Sequence, residues 1–397
     1  MKLNDETLRF IHEHCKDDVR NLALQAPKYP GVDMPVALTQ IAGRQAAAEK
    51  IPSWYAEEGI LYPRHLSLEQ CSSEATARYK ASIIPEFSSG TLADLTGGFG
   101  IDCAFLSPKF HHVTYVERQE VLCEIASHNF PLLALNHIRI ENKDAIRHLQ
   151  EMSSADWIFI DPARRDGHGG KTVAIADCEP NVAELESLLL EKAQHVMVKL
   201  SPMLDLTLAL NDLKHVREAH IVSVGNECKE LLLVLGQQVH EEPSAPRVFC
   251  VNDNQRIDYD SAAYTQGLRI GGKPLPEAKN YLYEPNASIM KAGCFDLVEE
   301  RFGVTQVGPS SHLFVSATPV ADFPGRGFAI EAIGGMNKKD IKRLLNGTKQ
   351  ANIAVRNFPL TAPQLRKKLK LADGGPVYLF GTTMQGCDHV LLRTSKI

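Results

Sequence analysis

The sequence predicts an α/β protein with a doubly wound sheet, because short apolar runs alternate with helix-length segments between residues 90 and 235. Five runs are spaced by crossover-length segments, which is typical of parallel strands wound with helices. The last two runs are separated only by "GNECKE" (225–230), so the seventh strand is expected to be antiparallel. The seven predicted strands are "TLADL" (91–95), "VTYVE" (113–117), "IRIENKD" (138–144), "DWIFID" (156–161), "HVMVKL" (195–200), "HIVSV" (220–224) and "LLLVL" (231–235).

The segments on either side of this sheet predict further domains. Residues 1–80 carry apolar side chains at helical spacing and predict a helical N-terminal domain, followed by the sheet domain over 81–240. The polar, aperiodic stretch "GQQVHEEPSAPR" (236–247) predicts a linker. Mixed strand-like and helical runs predict two small α+β modules, at 248–325 and 326–397.

Composition is that of a globular protein with reduced thiols. Of the 397 residues, 44% are hydrophobic and 23% are charged. The sequence contains no run of 18 consecutive apolar residues, and "MKLNDETLRF" is a polar helix start without the apolar stretch of a signal peptide. Nine cysteines are scattered without a C-x-x-C pair. We therefore expect a cytoplasmic protein with no disulfide framework and no metal site.

Charge is divided unevenly along the chain. The 72 residues from Arg326 to the end hold 13 lysines and arginines against 4 acids, a balance of +9. The first 325 residues hold 30 basic and 44 acidic side chains, a balance of −14. A division this sharp indicates that the basic end of the protein meets a polyanion.

A glycine-rich turn follows the first predicted strand. The three glycines of "LADLTGGFGID" (92–102) allow the backbone to approach a ligand closely. The turn partly matches the dinucleotide-binding fingerprint, but Cys103 stands where its third glycine would be. Asp94 and Asp102 would also repel a pyrophosphate. The turn therefore favours a cationic or amino-acid ligand, and a simple packing turn is the remaining alternative.

The stretch "DLTGGFGID" (94–102) resembles motif I of class I S-adenosylmethionine-dependent methyltransferases. The resemblance implies that S-adenosylmethionine is the cofactor. Glu117, which ends the second strand, would accept both ribose hydroxyls. Asp144, which ends the third strand, would meet the adenine amine, with Ala145 against the ring. The implied cofactor-binding residues are Asp94, Thr96, Gly97, Gly98, Gly100, Asp102, Glu117, Asp144, Ala145 and Asp161.

The motif "DPARRDG" follows the fourth predicted strand, where this family carries its motif IV beside the methyl donor. It resembles the D-P-P-R form of several RNA methyltransferase groups, with Ala163 in place of the second proline. By this resemblance, Asp161 would position the methionine amino group or accept a proton from the target nitrogen. Arg164 and Arg165 would hold a phosphate or a base edge. In the alternative, one arginine pairs with a nearby acid such as Asp166 or Asp156.

Residues near this motif argue against carbon methylation through a covalent adduct. That chemistry needs a cysteine nucleophile, and neither "DPARR" nor the stretch "KLSP" (199–202) at the end of the fifth strand contains one. A base nitrogen is therefore the favoured target. The residues expected in catalysis and on the target side are Asp161, Arg164, Lys199 and Ser201.

The segment before the first strand predicts a helix start. In "EQCSSEATARYKA" (69–81), Ser72, Ser73 and Glu74 are residue types that cap helices. The N-terminus of that helix would face the methionine end of the cofactor. An ordinary capped helix without contact to the cofactor is the alternative.

The whole chain is similar to a bacterial family with a helical N-terminus, a class I methyltransferase domain, a small ferredoxin-like module and a C-terminal THUMP-like domain. The similarity is carried by "YLYEPNASIMKAG" (281–293), "FPGRGF" (323–328) and the basic stretch 338–360. THUMP domains belong to RNA-modifying proteins that act largely on transfer RNA. The resemblance implies an RNA partner, with tRNA favoured over rRNA. Lysines and arginines of the basic C-terminal domain would contact its phosphates.

These observations predict an S-adenosylmethionine-dependent RNA methyltransferase that modifies a base nitrogen without a covalent cysteine adduct. Two alternatives stay open. One is a non-catalytic RNA-binding protein with a relic methyltransferase fold. The other is a nucleotide-dependent Rossmann oxidoreductase.

Overall fold

The computed structural model describes residues 4–85, 90–164, 174–237, 245–262, 280–386 and 389–397. The chain divides into two compact units. The first comprises Met1–Ala219 with Lys229–Ser244, and the second comprises His220–Cys228 with Ala245–Ile397. The predicted linker 236–247 lies partly outside the described residues, and the division into four domains stays a prediction.

The N-terminal part of the first unit is helical, as its apolar spacing predicts. Short polar side chains start two of the helices: Asn4 accepts a hydrogen bond from Thr7 N at 2.7 Å, and Asp33 accepts one from Val36 N at 3.3 Å. The helices are α1 (Asp5–Glu13), α2 (Val19–Leu24), α3 (Met34–Lys50), α4 (Pro52–Ala56), α5 (His65–Gln70) and α6 (Glu74–Ile83).

Among the described residues the larger sheet has nine strands, of which two form the hairpin described below and seven correspond to the predicted strands. These seven are β1 (Thr91–Asp94), β2 (His112–Glu117), β3 (Ile138–Asn142), β4 (Ala155–Ile160), β5 (Ala193–Leu200), β6 (Val216–Val224) and β7 (Glu227–Gly236). Their order is β6-β7-β5-β4-β1-β2-β3. Strands β1 to β5 are parallel, whereas β7 is antiparallel to β5, with Leu231 opposite Leu200. The predicted doubly wound sheet with an antiparallel last strand is confirmed.

The turn between β6 and β7 contains only two residues. Gly225 and Asn226 have φ angles of +58° and +63°, the left-handed values that a tight hairpin turn requires. Strand β7 therefore begins at Glu227, before the predicted apolar run, because the polar residues of "GNECKE" already belong to the strand.

Helices lie between the strands and complete the core of the first unit. Trp54 of α4 packs edge-on against Phe99 of the glycine turn, with ring centroids 5.1 Å apart. Tyr115 of β2 packs in the same way against Phe130, at 5.5 Å. The N-terminal helices therefore share a core with the sheet and support the glycine turn from behind. The helices between the strands are α7 (Ile101–Leu106), α8 (Glu120–Leu132), α9 (Ala145–Glu151), α10 (Val182–Lys192) and α11 (Leu206–Asp212).

The second unit contains a β-hairpin followed by a seven-stranded sheet. The hairpin consists of β8 (Arg247–Asn252) and β9 (Gln255–Asp260). The sheet contains β10 (Tyr281–Pro285), β11 (Thr305–Gln306), β12 (Phe314–Ser316), β13 (Gly325–Gly334), β14 (Asn352–Arg356), β15 (Val377–Thr383) and β16 (His389–Lys396). Its order is β11-β12-β10-β13-β16-β15-β14. Strands β14 and β15 are parallel, and the other neighbours are antiparallel.

The described residues of the second unit also contain four helices. They are α12 (Ala287–Ala292), α13 (Phe295–Phe302), α14 (Lys338–Leu345) and α15 (Ala362–Leu369). Leu344 of α14 and Leu365 of α15 pack into one apolar cluster with Leu379 and Leu391 of the sheet. Because both helices bury their leucines on the same cluster, their polar residues face outward. Across the described ranges, we find no helix with the length and hydropathy of a membrane span.

Candidate functional site

The carboxyl ends of β1, β2, β4 and β5 border a cleft of about 790 Å³ in the first unit. Ligands of doubly wound sheets bind at this edge. Every residue predicted to bind the cofactor lines this cleft, and so do Lys199 and Ser201. Residues that the sequence did not single out also line it, among them Leu66, Ser67, Gln70, Cys71, Arg118, Gln119, Ile146 and Lys229.

The glycine turn after β1 combines tight packing with open space. A Cβ on Gly97 would lie 2.1 Å from Cε2 of Tyr115, so packing alone requires glycine there. Gly98 and Gly100 have φ angles of +54° and +89°, which side chains rarely adopt. A Cβ on Gly98 would nevertheless meet no atom closer than the carbonyl oxygen of Thr96, at 3.8 Å. The backbone at Gly98 therefore borders the cleft without filling it.

Glu117 at the end of β2 is held by two backbone amides. Gly98 N donates to its Oε2 at 2.9 Å, and Gln119 N donates to its Oε1 at 2.8 Å. The carboxylate is buried, and each of its oxygens keeps a further lone pair. This arrangement presents a fixed pair of acceptors, which suits two neighbouring hydroxyl groups.

Asp94 at the end of β1 has a buried oxygen without a hydrogen-bond donor. The residue is 1% exposed, and its Oδ1 accepts from Thr96 N at 3.0 Å. Its Oδ2 has no partner among the described residues. Burial raises the pKa of Asp94 well above its ordinary value, and the carboxylates of Asp102, Asp161 and Glu117 raise it further. A buried acceptor without a donor is costly, so this oxygen indicates where a ligand would supply a donor or a cation.

Asp161 and Lys199 lie at neighbouring strand ends, because Ile160 of β4 is opposite Val198 of β5. Lys199 Nζ donates to Asp161 Oδ2 at 2.5 Å and lies 3.6 Å from Asp102 Oδ2. Burial alone would lower the pKa of Lys199, but the carboxylates of Asp161 and Asp102 raise it above its usual range. Lys199 is therefore a permanent cation of the cleft wall near neutral pH.

The ion pairing continues behind the cleft through residues that the sequence analysis missed. Lys80 of α6 is 0% exposed, and its Nζ donates to the two carboxylate oxygens of Glu230 at 2.6 and 2.7 Å. The same Nζ lies 3.2 Å from Asp102 Oδ1. Burial opposes ionisation of Asp102, but Lys80 and Lys199 lower its pKa overall. We call Lys80, Asp102, Lys199, Asp161 and Glu230 the buried ion network.

The residues predicted to cap α6 have separate roles. Ser73 is the cap, since its Oγ accepts from Thr76 N at 3.3 Å. Glu74 accepts from Arg78 Nε at 2.9 Å on the helix surface. Ser72 lines the cleft, and its Oγ donates to Asp102 Oδ2 at 2.7 Å.

One sequence signal could have identified Lys80. Thr76, Ala77 and Lys80 share the buried side of α6 at helical spacing. A lysine on the apolar side of a helix requires a buried acid as its partner. The identity of that acid, Glu230, depends on the fold, because 150 residues separate the two.

Asp144 lies at the cleft but also starts a helix. It is exposed, and its Oδ1 accepts from Ile146 N and Arg147 N, each at 3.0 Å. These contacts make it the N-cap of α9. Asp144 therefore has a structural role besides its predicted contact with adenine, and Ala145 lies beside it in the cleft wall.

The predicted target side is described in part. Ser201 lines the cleft, and its Oγ accepts from Met203 N at 3.3 Å. The backbone of Ala163–Arg164 pairs antiparallel with Cys178–Glu179. The side chain of Arg164 and the whole of Arg165 lie outside the described residues.

Cys71 lines the cleft, so its capacity to act as a nucleophile matters. Its Sγ donates to the carbonyl oxygen of Leu68 at 3.1 Å. Burial raises the pKa of Cys71 to about 11. The thiolate is the nucleophilic form, and a thiol with this pKa is almost entirely protonated near neutral pH.

Arginines and lysines of the basic C-terminal segment differ in their contacts. All five arginines from residue 326 onward form ion pairs: Arg326 and Arg356 with Glu284, Arg343 with Asp340, Arg366 with Asp373 and Arg393 with Glu331. The eight lysines are exposed, and none forms a salt bridge within the part of the chain that the structure describes. They are Lys338, Lys339, Lys342, Lys349, Lys367, Lys368, Lys370 and Lys396. We call those of α14 and α15, Lys338, Lys339, Lys342, Lys367 and Lys368, the lysine face.

Comparison with known proteins finds two family models in the C-terminal part of the chain and a relative that matches its full length. Residues 281–324 match a family model described as a ferredoxin-like domain, and residues 325–396 match one described as THUMP domain-like. A candidate methyltransferase from Porphyromonas gingivalis W83 has a crystal structure that matches with a TM-score of 0.85 and 32% identity, covering 100% of both chains. No curated protein matches the sequence.

Two more distant similarities cover only part of the chain. An rRNA methylase from Streptococcus thermophilus is 14% identical over 41% of this chain and 94% of its own, with a TM-score of 0.30. A conserved hypothetical protein from Streptococcus pyogenes is 17% identical over 41% of this chain and 94% of its own, also with a TM-score of 0.30. Similarities this low carry no argument about activity.

Proposed function

This chain belongs to the bacterial family that joins a class I methyltransferase fold to a ferredoxin-like module and a THUMP-like domain, and on that premise we propose that it is an S-adenosylmethionine-dependent RNA methyltransferase. The observation that carries the proposal is the buried Oδ2 of Asp94, which has no donor among the described residues and lies beside an open glycine turn. S-adenosylmethionine offers an ammonium group and a sulfonium, and it has no phosphate to be repelled by the surrounding acids.

The residues of the cleft fit this cofactor group by group. Asp94 would receive its ammonium, and Glu117 would accept hydrogen bonds from both ribose hydroxyls through its remaining lone pairs. Asp144 and Ala145 would flank the adenine. Gly98 leaves the room that a bound nucleoside needs. The cofactor would supply an electrophilic methyl group at the end of the cleft that Asp161 borders.

Asp161 would act at the point of methyl transfer. Its backbone N donates to Thr96 Oγ1 at 2.7 Å, and its carboxylate is bonded to Lys199, so the side chain is fixed from both ends. It would orient the ammonium group or receive the proton released by a target nitrogen. Lys199 would position Asp161, and Ser201 and Arg164 would meet the target base. The raised pKa of the Cys71 thiol supports a mechanism without a covalent base adduct.

The partner would be RNA, with tRNA favoured over rRNA. A THUMP domain-like segment ends the chain, and its lysine face carries cations that are not neutralised by acids within the described ranges. Flexible lysines suit contacts to phosphates that carry no sequence information. The base and the methylated atom would then be chosen at the cleft.

Cofactor binding can be tested directly by isothermal titration with S-adenosylmethionine. We expect Asp94→Ala and Glu117→Ala each to lower the affinity by about tenfold or more, since each removes a charged partner of the ligand. Glu151→Ala is the control, because Glu151 bonds to Arg147 on the surface of α9. Unchanged affinity in both cleft variants would overturn the proposal. A wild-type protein that binds RNA but no cofactor would support the relic-fold alternative, and a nicotinamide cofactor that binds instead would support an oxidoreductase.

The reaction itself can be identified in cells. Nucleosides of tRNA and rRNA from cells with and without the gene would be compared by mass spectrometry. We expect one methylated nucleoside to disappear from the tRNA fraction, to return with the wild-type gene and to stay absent with Glu117→Ala. An identical set of nucleosides in both cell types would contradict the proposal.

A further inference from the structure

One buried acid of the second unit binds two arginines. Glu284 is 3% exposed and lies on β10 directly opposite Arg326 of β13. Arg326 Nε donates to Glu284 Oε2 at 3.0 Å, and Arg356 Nη2 donates to Glu284 Oε1 at 2.8 Å. The cluster therefore joins two guanidinium groups through the two oxygens of one carboxylate.

The charge of this cluster is not balanced. The other three arginines from residue 326 onward each pair with an acid of their own, whereas Arg326 and Arg356 share Glu284. Two like charges held this close repel each other, and the cluster keeps a net charge of +1. A single arginine would neutralise the charge of the buried carboxylate, so neutralisation of Glu284 does not explain the second arginine.

Both guanidinium groups remain accessible and have donors to spare. The side chains of Arg326 and Arg356 are 45% and 39% exposed. Arginine carries five N–H donors, and Glu284 takes only part of them, although Arg356 Nη1 also donates to the carbonyl oxygen of Val355 at 3.1 Å. Arg356 Nε is buried and has no acceptor among the residues that the structure describes. The cluster therefore presents unused donors and one unbalanced positive charge to an incoming group.

The backbone beside Arg356 is fixed in an uncommon conformation. Asn357 has a φ of +47°, and its Nδ2 donates to the carbonyl oxygen of Pro309 at 2.8 Å. Ser310 and His312 in the facing loop have φ angles of +54° and +52°. Three such non-glycine residues near one site represent local strain, which occurs most often where a chain binds a ligand.

We propose that Arg326 and Arg356 form a phosphate-binding site that holds one backbone phosphate of the RNA. Guanidinium forks match the oxygens of a phosphate, and one anion bound by both arginines would neutralise the positive charge that Glu284 leaves unbalanced. Glu284 is then the positioning residue that keeps the two forks side by side. The RNA as the source of the phosphate rests on the proposed function, whereas the anion site itself does not.

The test measures the binding of inorganic phosphate to the full-length protein by isothermal titration, in a buffer that otherwise contains no phosphate. We expect Arg356→Gln to weaken phosphate binding by about tenfold, because it removes one fork and leaves Glu284 neutralised by Arg326. Arg356→Lys keeps a cation beside Glu284, so a loss of binding in this variant would not result from misfolding. We expect it to lose most of the affinity for phosphate too, since lysine lacks the guanidinium fork. The matched control is Arg247→Gln, because Arg247 pairs with its own acid, Asp258, at 2.9 Å.

The same variants would then be titrated with bulk tRNA over a range of salt concentrations. We expect Arg356→Gln to reduce the slope of log affinity against log salt by about one, as for one lost phosphate contact, and Arg247→Gln to leave it unchanged. Unchanged phosphate affinity in both Arg356 variants would overturn the site. Loss of phosphate binding with an unchanged tRNA slope would overturn its assignment to RNA. Titration with S-adenosylmethionine separates the phosphate site from the proposed function. A protein that binds phosphate but no cofactor would refute the proposed function and leave the phosphate site standing.

Discussion

The ammonium nitrogen of Lys199 lies 2.5 Å from Oδ2 of Asp161, so the lysine predicted on the target side is bonded to the acid predicted to act beside it. A lysine whose pKa is raised by neighbouring carboxylates cannot serve as a base near neutral pH. Its contribution is instead to fix Asp161, while Asp102 on its other side connects it to Lys80. Acids and lysines of the buried ion network therefore alternate from the cleft wall into the core.

Removal of Lys80 should destabilise the fold strongly. Lys80→Met leaves Glu230 and part of Asp102 buried without their cation, and we expect a loss of about 3–5 kcal/mol in the free energy of unfolding. Urea denaturation would measure it. Arg139→Met is the control, because its pair with Glu141 is exposed and should contribute little. The double variant Lys80→Met/Glu230→Gln should recover part of the loss; equal losses in the single and double variants would contradict this account.

Gly97 and Gly98 should respond differently to alanine. Gly97→Ala places a Cβ 2.1 Å from the ring of Tyr115, and we expect it to lower the free energy of unfolding by about 3 kcal/mol or more. Gly98→Ala meets no atom within 3.8 Å, so its cost is the left-handed backbone, about 1–2 kcal/mol, but its methyl group would enter the cleft.

Denaturation and cofactor titration together check this contrast. The ratio of cofactor affinity lost to stability lost should be larger for Gly98→Ala than for Gly97→Ala. A Gly98→Ala protein that binds S-adenosylmethionine as tightly as the wild type would show that the cofactor does not approach the turn.

The buried carboxyl of Asp94 should make stability depend on pH. Its pKa is raised by burial and by neighbouring carboxylates, so the folded protein holds this proton more tightly than the unfolded chain. The stabilisation that results is complete below the unfolded pKa and is lost as pH rises through the folded pKa. Asp94→Asn cannot titrate, and its Oδ1 can still accept from Thr96 N.

We therefore expect Asp94→Asn to gain stability relative to the wild type as pH rises from about 4 to about 8. Urea denaturation at several pH values would measure the difference between the two proteins. A difference that does not change with pH would show that Asp94 is ionised equally in the folded and unfolded states.

The lysine face should govern the salt dependence of RNA binding. Lys338→Gln/Lys342→Gln removes two cations from α14, and we expect the slope of log affinity against log salt to fall by up to about two. Filter binding or fluorescence anisotropy with bulk tRNA would measure it. The control Lys16→Gln/Lys28→Gln removes two exposed lysines from the segments that connect the first three helices. Equal effects of the two pairs would mean that RNA responds to net charge and not to this surface.

Sequence periodicity predicted the sheet well because its signals are local. Each strand is a short apolar run, and the acids Asp94, Glu117 and Asp161 come at or next to strand ends, so parallel pairing alone gathers them at one edge. The antiparallel last strand was predictable from a local signal too, because "GNECKE" is too short to form a crossover helix. The prediction did not need knowledge of contacts between distant residues.

The buried ion network could not be predicted in the same way. Which side chain meets Lys80 depends on how α6 packs on β7, and no local pattern encodes that packing. The role of Lys199 is a similar case, since its position at the end of β5 predicted proximity to the target but not the bond to Asp161. The sharing of Glu284 by Arg326 and Arg356 joins three strands and is likewise visible only in the fold.

The sheet of the second unit also bears on how this family could have been assembled. Strand β10 belongs to the ferredoxin-like segment, β13 belongs to the THUMP-like segment, and the two are hydrogen-bonded neighbours. A genetic exchange that cut between residues 324 and 325 would leave each product with an unpaired strand edge, which invites aggregation. The two segments must therefore be inherited together, and a THUMP-like segment borrowed from another protein could replace this one only if it brought a matching edge.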